Sequence, residues 1–292
     1  LVAASEGVQK FLGGGPINSC CLLPLYHVSG LMQLVRSFVS GGRIRFDDSE
    51  VEGTCLSLVP TQLLRALQSE TSIQKLNTAH AIFVGGGPMS RELAQKARDL
   101  KLPVIPVYGM TETAAMCAAV PADDFLVDLS AGAVPIGDTQ FSINTNGRIR
   151  IQSSALFQGY YGRAPLDLSE GYMTDDLGHL DASGRLHVEG RADRIIITGG
   201  EKVDPAEVEA ALCTIPEIEA ALVLGLPHKE WGQQVVAFIQ NERAAVNLDA
   251  LRGRLRKQLA SYKIPKQVYT LAQLPLDEKG KVDQAAVSRL IN

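Results

Sequence analysis

Short apolar runs at residues 21–26, 55–59, 81–84 and 104–107 each empty into a loop rich in glycine or hydroxyl side chains. Runs this short suit strands that are buried on both faces. Between them stand stretches of helical spacing. One covers 31–39 and ends at Gly41-Gly42. A second opens at Pro60 and Thr61, with Leu63, Leu64 and Leu67 on one face, and a third is capped by Ser90 and runs to about residue 100. A further short strand is expected at 44–46. Strand alternating with helix restricts this part of the chain to a mostly parallel sheet covered by helices.

After Pro121 the texture changes. Strands at 141–143 and 148–152 flank an Asn-Gly turn, and Gly-bounded turns bracket Tyr172 to Gly178 before a strand at 185–188. This section is expected to be antiparallel. From Arg194 a small α+β unit is expected, with strands at 195–198, 221–224, 235–239 and 268–271. Asp204-Pro205-Ala206-Glu207 is a helix start, with an N-cap, a proline in the first turn and a capping-box glutamate. Leu248, Leu251, Leu255 and Leu259 mark a helix opened by Asn247, and a last helix runs to residue 291 after the loop 275–280. The fold class is therefore α/β followed by α+β, divided into 1–191 and 192–292. The chain opens on Leu1 in what looks like mid-helix sequence, so it reads like a fragment.

The 292 residues carry a formal net charge of −4 with a pI near 5.8, which gives no electrostatic grip on nucleic acid. Five scattered cysteines, with no C-x-x-C, point to buried thiols in a reducing compartment rather than a disulfide framework. No apolar run approaches the ~20 residues of a membrane span, and a cytoplasmic protein is expected. A sheet with bare edges would invite association between copies, which leaves a homo-oligomer open.

The run 104–113, VIPVYGMTET, is where chemistry is expected, because open α/β sheets bind ligands at the carboxyl ends of their strands. Tyr108 offers a ring for stacking and Gly109 a close backbone approach. Thr111 and Thr113 supply hydroxyls, and Glu112 can reach a phosphate-bound metal. Asp176 could accept from two vicinal sugar hydroxyls with Arg191 assisting, or the two could form a structural ion pair. Lys281, between Gly280 and Val282, could swing in to neutralise a phosphoryl group or could simply be a solvated surface lysine. His27, before Ser29 and Gly30, could line a pocket or be structural. There is no G-x-S-x-G elbow, H-E-x-x-H, phosphate-loop G-x-x-x-x-G-K-[ST] or G-x-G-x-x-G.

Together these stretches resemble the adenylate-forming superfamily of acyl-CoA synthetases, luciferases and peptide-synthetase adenylation domains. The matching runs, in the family's order, are PLYHVSG (24–30), GGGP (85–88), YGMTE (108–112), GYMTDDLG (171–178), GRADRIIITGGEKVDPAEVE (190–209) and DEKGKVD (277–283). Within it the likeness is greatest to the o-succinylbenzoate–CoA ligase branch, of the menaquinone and phylloquinone pathways. SLVPTQLLRAL (57–67), a compressed segment between Ile136 and Arg148, and LASYKIPK (259–266) carry that finer likeness.

The resemblance implies two half-reactions in one pocket: a carboxylic acid plus ATP gives an acyl-adenylate, and the thiol of CoA then displaces AMP. It implies that Gly86, Gly87 and Pro88 wall the adenine and acyl pocket, with Tyr108 on the base and Gly109 beside it. Thr111 would touch the α-phosphate, Glu112 the Mg²⁺, and Asp176 with Arg191 the ribose. Asp193 would be a hinge, Lys281 the lysine of adenylation, and Gly199-Gly200 the turn that faces CoA after the small domain rotates.

Four departures from the family pattern stand out. Asp175 replaces a glycine, Arg148 stands where glutamate is common, and the arginine often found after Lys281 is missing. The family's phosphate loop precedes the PLYHVSG region and does not occur in this sequence. Weak or no adenylation by this chain is therefore expected, with AMP or acyl-adenylate binding retained. A ligase for another acid and a non-catalytic nucleotide-binding fragment are the alternatives.

Overall fold

The computed structural model describes residues 1–241, 248–276 and 282–291. They form two compact units, residues 1–89 with 93–189 and residues 90–92 with 190–292.

The first unit opens with α1 (Val2–Phe11), β1 (Ser19–Cys20), α2 (Val28–Ser40) and β2 (Ile44–Arg45). It continues through β3 (Cys55–Leu58), α3 (Pro60–Ala66), α4 (Glu70–Asn77), β4 (Ala81–Val84), α5 (Arg91–Asp99) and β5 (Val104–Met110). After a 3-10 turn (Thr111–Thr113) come β6 (Ala115–Ala119), α6 (Ala122–Val127) and β7 (Val134–Pro135). These strands make one sheet in the order β2-β1-β3-β4-β5-β6-β7, parallel as far as β5 and antiparallel beyond it. Every residue of β3 and β4 is buried, as expected for central strands covered on both sides. On one face Leu56, Leu58, Ile82, Val84 and Val104 pack with Leu63, Leu76, Leu93 and Phe125 of the helices. On the other, Cys55, Ala81, Phe83, Ile105 and Met116 pack with Val8 of α1.

One expectation is corrected here, and two features lie beyond what the sequence pattern showed. Residues 21–26 are not a strand: β1 stops at Cys20, although the Cys21 N–H still donates to the Arg45 carbonyl at 2.8 Å. Pro24 has no N–H to continue a ladder, and its carbonyl instead accepts from His27 N at 3.1 Å in a turn. The apolar stripe of α2 faces outward, with Leu31 and Leu34 partly and Phe38 largely exposed, whereas Gln33, Arg36 and Ser37 are buried. After β5 the chain turns back as β6, a strand the sequence pattern does not mark, because its small residues AMCAA give little periodicity to read. The helices α4 and α6 were not expected either, because each buries essentially one apolar residue, Leu76 and Phe125.

A four-stranded antiparallel sheet follows, in the order β11-β10-β9-β8: β8 (Gln140–Ile143), β9 (Arg148–Gln152), β10 (Tyr172–Leu180) and β11 (Leu186–Arg191). Ile149, Ile151 and Leu186 form its core with Cys117 and Ala118 of β6. All five cysteines are free thiols, and all but Cys213 are buried. No helix among the described residues is long and apolar enough to cross a membrane.

The second unit contains β12 (Ile196–Thr198), β13 (Glu201–Val203), α7 (Pro205–Cys213), β14 (Ala220–His228), β15 (Gly232–Gln240), α8 (Leu248–Leu255), β16 (Gln267–Leu271) and α9 (Gln284–Ser288). Gly199 and Gly200 have φ of 58° and 85° and close a two-residue hairpin between β12 and β13, a turn that needs positive φ at both positions. Asp204 caps α7 by accepting from Ala206 N at 3.0 Å. Val208, Leu212, Val235, Leu251 and Leu255 share one core. Asn247 lies outside the described residues.

The Glu209 carboxylate joins three parts of this unit. Oε1 accepts from Arg194 Nη2 at 2.5 Å and from Val223 N at 2.9 Å, and burial pushes its pKa up. Glu209→Ala is expected to lower the stability of the second unit by about 2 kcal/mol in urea titration, because it orphans a guanidinium and a strand N–H together. An unchanged midpoint would show that Glu209 does not hold the strand.

Candidate functional site

The tip of the β5–β6 hairpin collects the polar residues of VIPVYGMTET. Gly109 permits the hairpin: a Cβ there would lie 1.6 Å from the Ala115 carbonyl oxygen. Thr113 is fully buried, and its hydroxyl oxygen accepts from Met110 N at 3.0 Å, so it ties the turn together rather than facing a ligand. Ala114 and Ala115 have φ of 52° and 80°, two non-glycine residues in the left-handed region immediately after Thr113. Such strain persists only where surrounding contacts impose it, and it gathers at ligand sites. Thr111 is exposed on this turn.

Two contacts join the hairpin to β10. In the first, the Tyr108 hydroxyl donates to Asp176 Oδ2 at 2.6 Å. Burial, and then the bond to Asp176, raise the Tyr108 phenol far above its ordinary range, so it remains a donor at neutral pH. Asp176 is itself buried, and the pairing of β10 with β9 shifts register between Met173 and Leu177. Such an irregularity re-aims side chains. Asp176 N donates to the Thr174 hydroxyl at 3.1 Å, and that hydroxyl donates to the Ile149 carbonyl at 2.8 Å, fixing the backbone beneath the carboxylate. Asp175 points the other way and meets Arg148 at 3.2 Å. Two of the four departures from the family pattern thus pair with one another on the surface, where an ion pair contributes little.

In the second contact, the Tyr160 hydroxyl donates to Glu112 Oε1 at 2.6 Å and lies 3.4 Å from the hydroxyl of Tyr172, the first residue of β10. The bond to Glu112 is the main cause that pushes the Tyr160 phenol up, followed by the contact with Tyr172. Phe157 donates its N–H to the Glu112 carbonyl at 2.8 Å.

Gly86, Gly87 and Pro88 form an exposed loop at the end of β4, beside β5, and Gly86 has φ of 81°. His27 is the residue before α2, its ring 4.6 Å from that of Tyr26. Beneath it runs the buried polar face of α2. Arg36 is 3% exposed, with Nε on the Met32 carbonyl at 2.9 Å and Nη1 3.8 Å from the Met116 sulfur. The guanidinium lies 5.5 Å from the centre of the Phe83 ring. It meets no carboxylate among the described residues, and burial lowers its pKa to about 10. Gln33 Oε1, on the same face, is buried without a hydrogen-bond partner among the described residues. Phe83 leads into the Gly86 loop, and Met116 pairs with Gly109, so this buried cation sits against the strands that carry the site.

The remaining candidates fall elsewhere. Arg191 and Asp193 belong to the second unit, where the guanidinium grips the carboxylate through two bonds of 2.8 Å. Gly199 and Gly200 form the hairpin of that unit. Lys281 lies outside the described residues.

Comparison with known proteins now decides the family. The model of the AMP-binding enzyme family matches residues 6–161, more than half of the chain, and that of the AMP-binding enzyme C-terminal domain matches residues 207–281. The chain belongs to the AMP-binding enzyme family. Its relatives include the 2-succinylbenzoate–CoA ligase of Geobacillus kaustophilus, 33% identical over 92% of this chain and 60% of that protein. The ligase of the same name from Enterococcus faecalis is 30% identical over 96% and 63%. Among solved structures, o-succinylbenzoate CoA synthetase of Bacillus subtilis in complex with the acyl-adenylate intermediate OSB-AMP superposes with a TM-score of 0.83 at 28% identity. That match covers 98% of this chain and 64% of the other. The same enzyme in complex with ATP and magnesium ion gives 0.81 at 28% identity, over 97% and 64%. The chain thus spans about 60% of the length of these relatives.

Within this AMP-binding enzyme, sequence reasoning missed Arg36, Tyr160, Tyr172 and Thr174. Arg36 did leave a trace, as the one charge in an otherwise apolar and polar-neutral helix. Tyr160 and Tyr172 left none, since Tyr160 matters by reaching Glu112 from 48 residues away and Tyr172 by meeting the Tyr160 hydroxyl.

Proposed function

We propose that this chain carries the nucleotide and acid sites of an AMP-forming ligase that activates o-succinylbenzoate with ATP and passes the acyl group to CoA. The observation that carries this reading is Arg36, a buried guanidinium without a carboxylate partner among the described residues. o-Succinylbenzoate has two carboxylates. One must be left free to react, and the other needs a buried cation, which a mono-acid would not. The names of the relatives point to the same acid.

In this reading the ring of Tyr108 takes the adenine, and Asp176, held by Tyr108 and Thr174, takes the ribose hydroxyls with help from Arg191. Thr111 meets the α-phosphate, and Gly86, Gly87, Pro88 and His27 line the pocket. A single carboxylate, Glu112, suits Mg²⁺, which is commonly held by one or two carboxylates together with phosphate oxygens and water. When bound, Mg²⁺ would neutralise charge on the phosphates. Residues 1–191 would form the large domain and 192–292 a lid hinged at Asp193. The lid would bring Lys281 for adenylation and the Gly199-Gly200 turn for the attack by CoA. Five free thiols fit a cytoplasmic setting.

The test is Arg36→Met, with acid binding to this chain measured for o-succinylbenzoate and benzoate, and AMP formation measured in the full-length parent. The affinity for o-succinylbenzoate is expected to fall about 100-fold, while that for ATP holds. Removing an unpaired buried cation should also leave the melting temperature unchanged or raise it. Unaltered use of o-succinylbenzoate by the variant, or a wild type that prefers benzoate, would overturn the assignment of the acid.

A further inference from the structure

Glu112 is the middle residue of a three-residue 3-10 turn, Thr111–Thr113, that runs into the strained pair Ala114 and Ala115, a poor support for a side chain that must meet a metal–nucleotide at a fixed point. Three residues from outside the hairpin steady it. Phe157 N holds the Glu112 carbonyl at 2.8 Å, and the Tyr160 phenol holds Oε1 at 2.6 Å. The Tyr172 hydroxyl backs the phenol at 3.4 Å, and the Phe157 ring packs edge-on against both tyrosines, with centroids 5.0 and 5.3 Å away.

We propose that Tyr160 is the positioning residue for Glu112, its phenol presenting the carboxylate to the cation of a metal–nucleotide while Tyr172 and Phe157 hold the phenol. The inference rests on the reading of Glu112 as the carboxylate that meets that metal. The chemistry of the donor matters. A lysine or arginine at this position would orient the carboxylate equally well but would repel a divalent cation and compete for the same charge. A neutral hydroxyl occupies one lone pair of Oε1 and leaves the carboxylate its negative charge. Partners of this kind behind a metal ligand alter metal affinity by about 10- to 100-fold when removed. Tyr160 is 49% exposed, so its hydroxyl contributes little to folding and can be removed without disturbing the core.

The experiment is calorimetric titration of the chain with α,β-methylene-ATP, in MgCl₂ and in EDTA. The wild type is expected to bind the analogue more tightly with Mg²⁺. Tyr160→Phe should lose about tenfold of affinity in MgCl₂ and none in EDTA, with an unchanged melting temperature. Tyr172→Phe should show a smaller loss of the same kind. In a Glu112→Gln background, Tyr160→Phe should cause no further loss. Equal weakening with and without Mg²⁺, no weakening at all, or a loss that persists without the Glu112 carboxylate would each overturn the proposal. A wild type whose binding ignores Mg²⁺ would overturn the reading of Glu112 along with it. A wild-type response to Mg²⁺ that Tyr160→Phe retains would overturn the role of Tyr160 alone.

Discussion

Gly109→Ala unfolds the first unit or leaves it insoluble. The added Cβ would fall 1.6 Å from the Ala115 oxygen and 2.6 Å from both the Ala115 carbonyl carbon and the Met116 Cα. All three are backbone atoms of the partner strand, so no side chain can swing aside. The β5–β6 pairing must open, at a cost of more than about 4 kcal/mol, comparable to much of a domain's stability. Gly87→Ala is the matched control: nothing lies within 4 Å of its Cβ position, and a change within about 0.5 kcal/mol is expected. Urea titration of the two variants checks the contrast. A Gly109→Ala protein as stable as the wild type would mean that the hairpin is not built as described.

Asp176→Ala removes nucleotide binding. In the proposed reading the carboxylate accepts two charge-assisted hydrogen bonds from ribose hydroxyls, each contributing about 1.5–3 kcal/mol. Part of that is recovered by water, so AMP affinity is expected to fall about 100-fold. The same substitution strands the Tyr108 hydroxyl in a largely apolar setting, which should cost about 1–2 kcal/mol of stability. Tyr108→Phe separates the two effects. It keeps the ring and the carboxylate, so it should lose less affinity than Asp176→Ala. An Asp176→Ala protein that binds AMP as well as the wild type would remove Asp176 from the site.

The parallel sheet was legible because β3 and β4 are continuous apolar runs bounded by glycine loops, a pattern set by burial on both faces. Asp176 was singled out from its place in GYMTDDLG, and the structure buries it against the Tyr108 hydroxyl. What the pattern could not carry was direction. The helical spacing of 31–39 placed α2 but not its inward face, and the structure buries Gln33, Arg36 and Ser37 while Leu31, Leu34 and Phe38 face outward. Hydrophobic spacing cannot anticipate a helix that buries a polar face. Thr113 shows the converse error. A hydroxyl in a suggestive run proved to be committed to its own turn, because the reversal after Met110 leaves backbone groups that it alone satisfies locally. Residues such as Tyr160, which act by reaching a partner far along the chain, carry no local signature at all.

The central claim is that Tyr108 and Asp176 together make a site for an adenosine nucleotide. Titrating the chain with AMP and with 2′,3′-dideoxy-AMP tests it most directly. The account predicts that AMP binds at least tenfold more tightly than the dideoxy compound, and that the difference vanishes in Asp176→Ala. Equal affinity of the wild type for both nucleotides would contradict it.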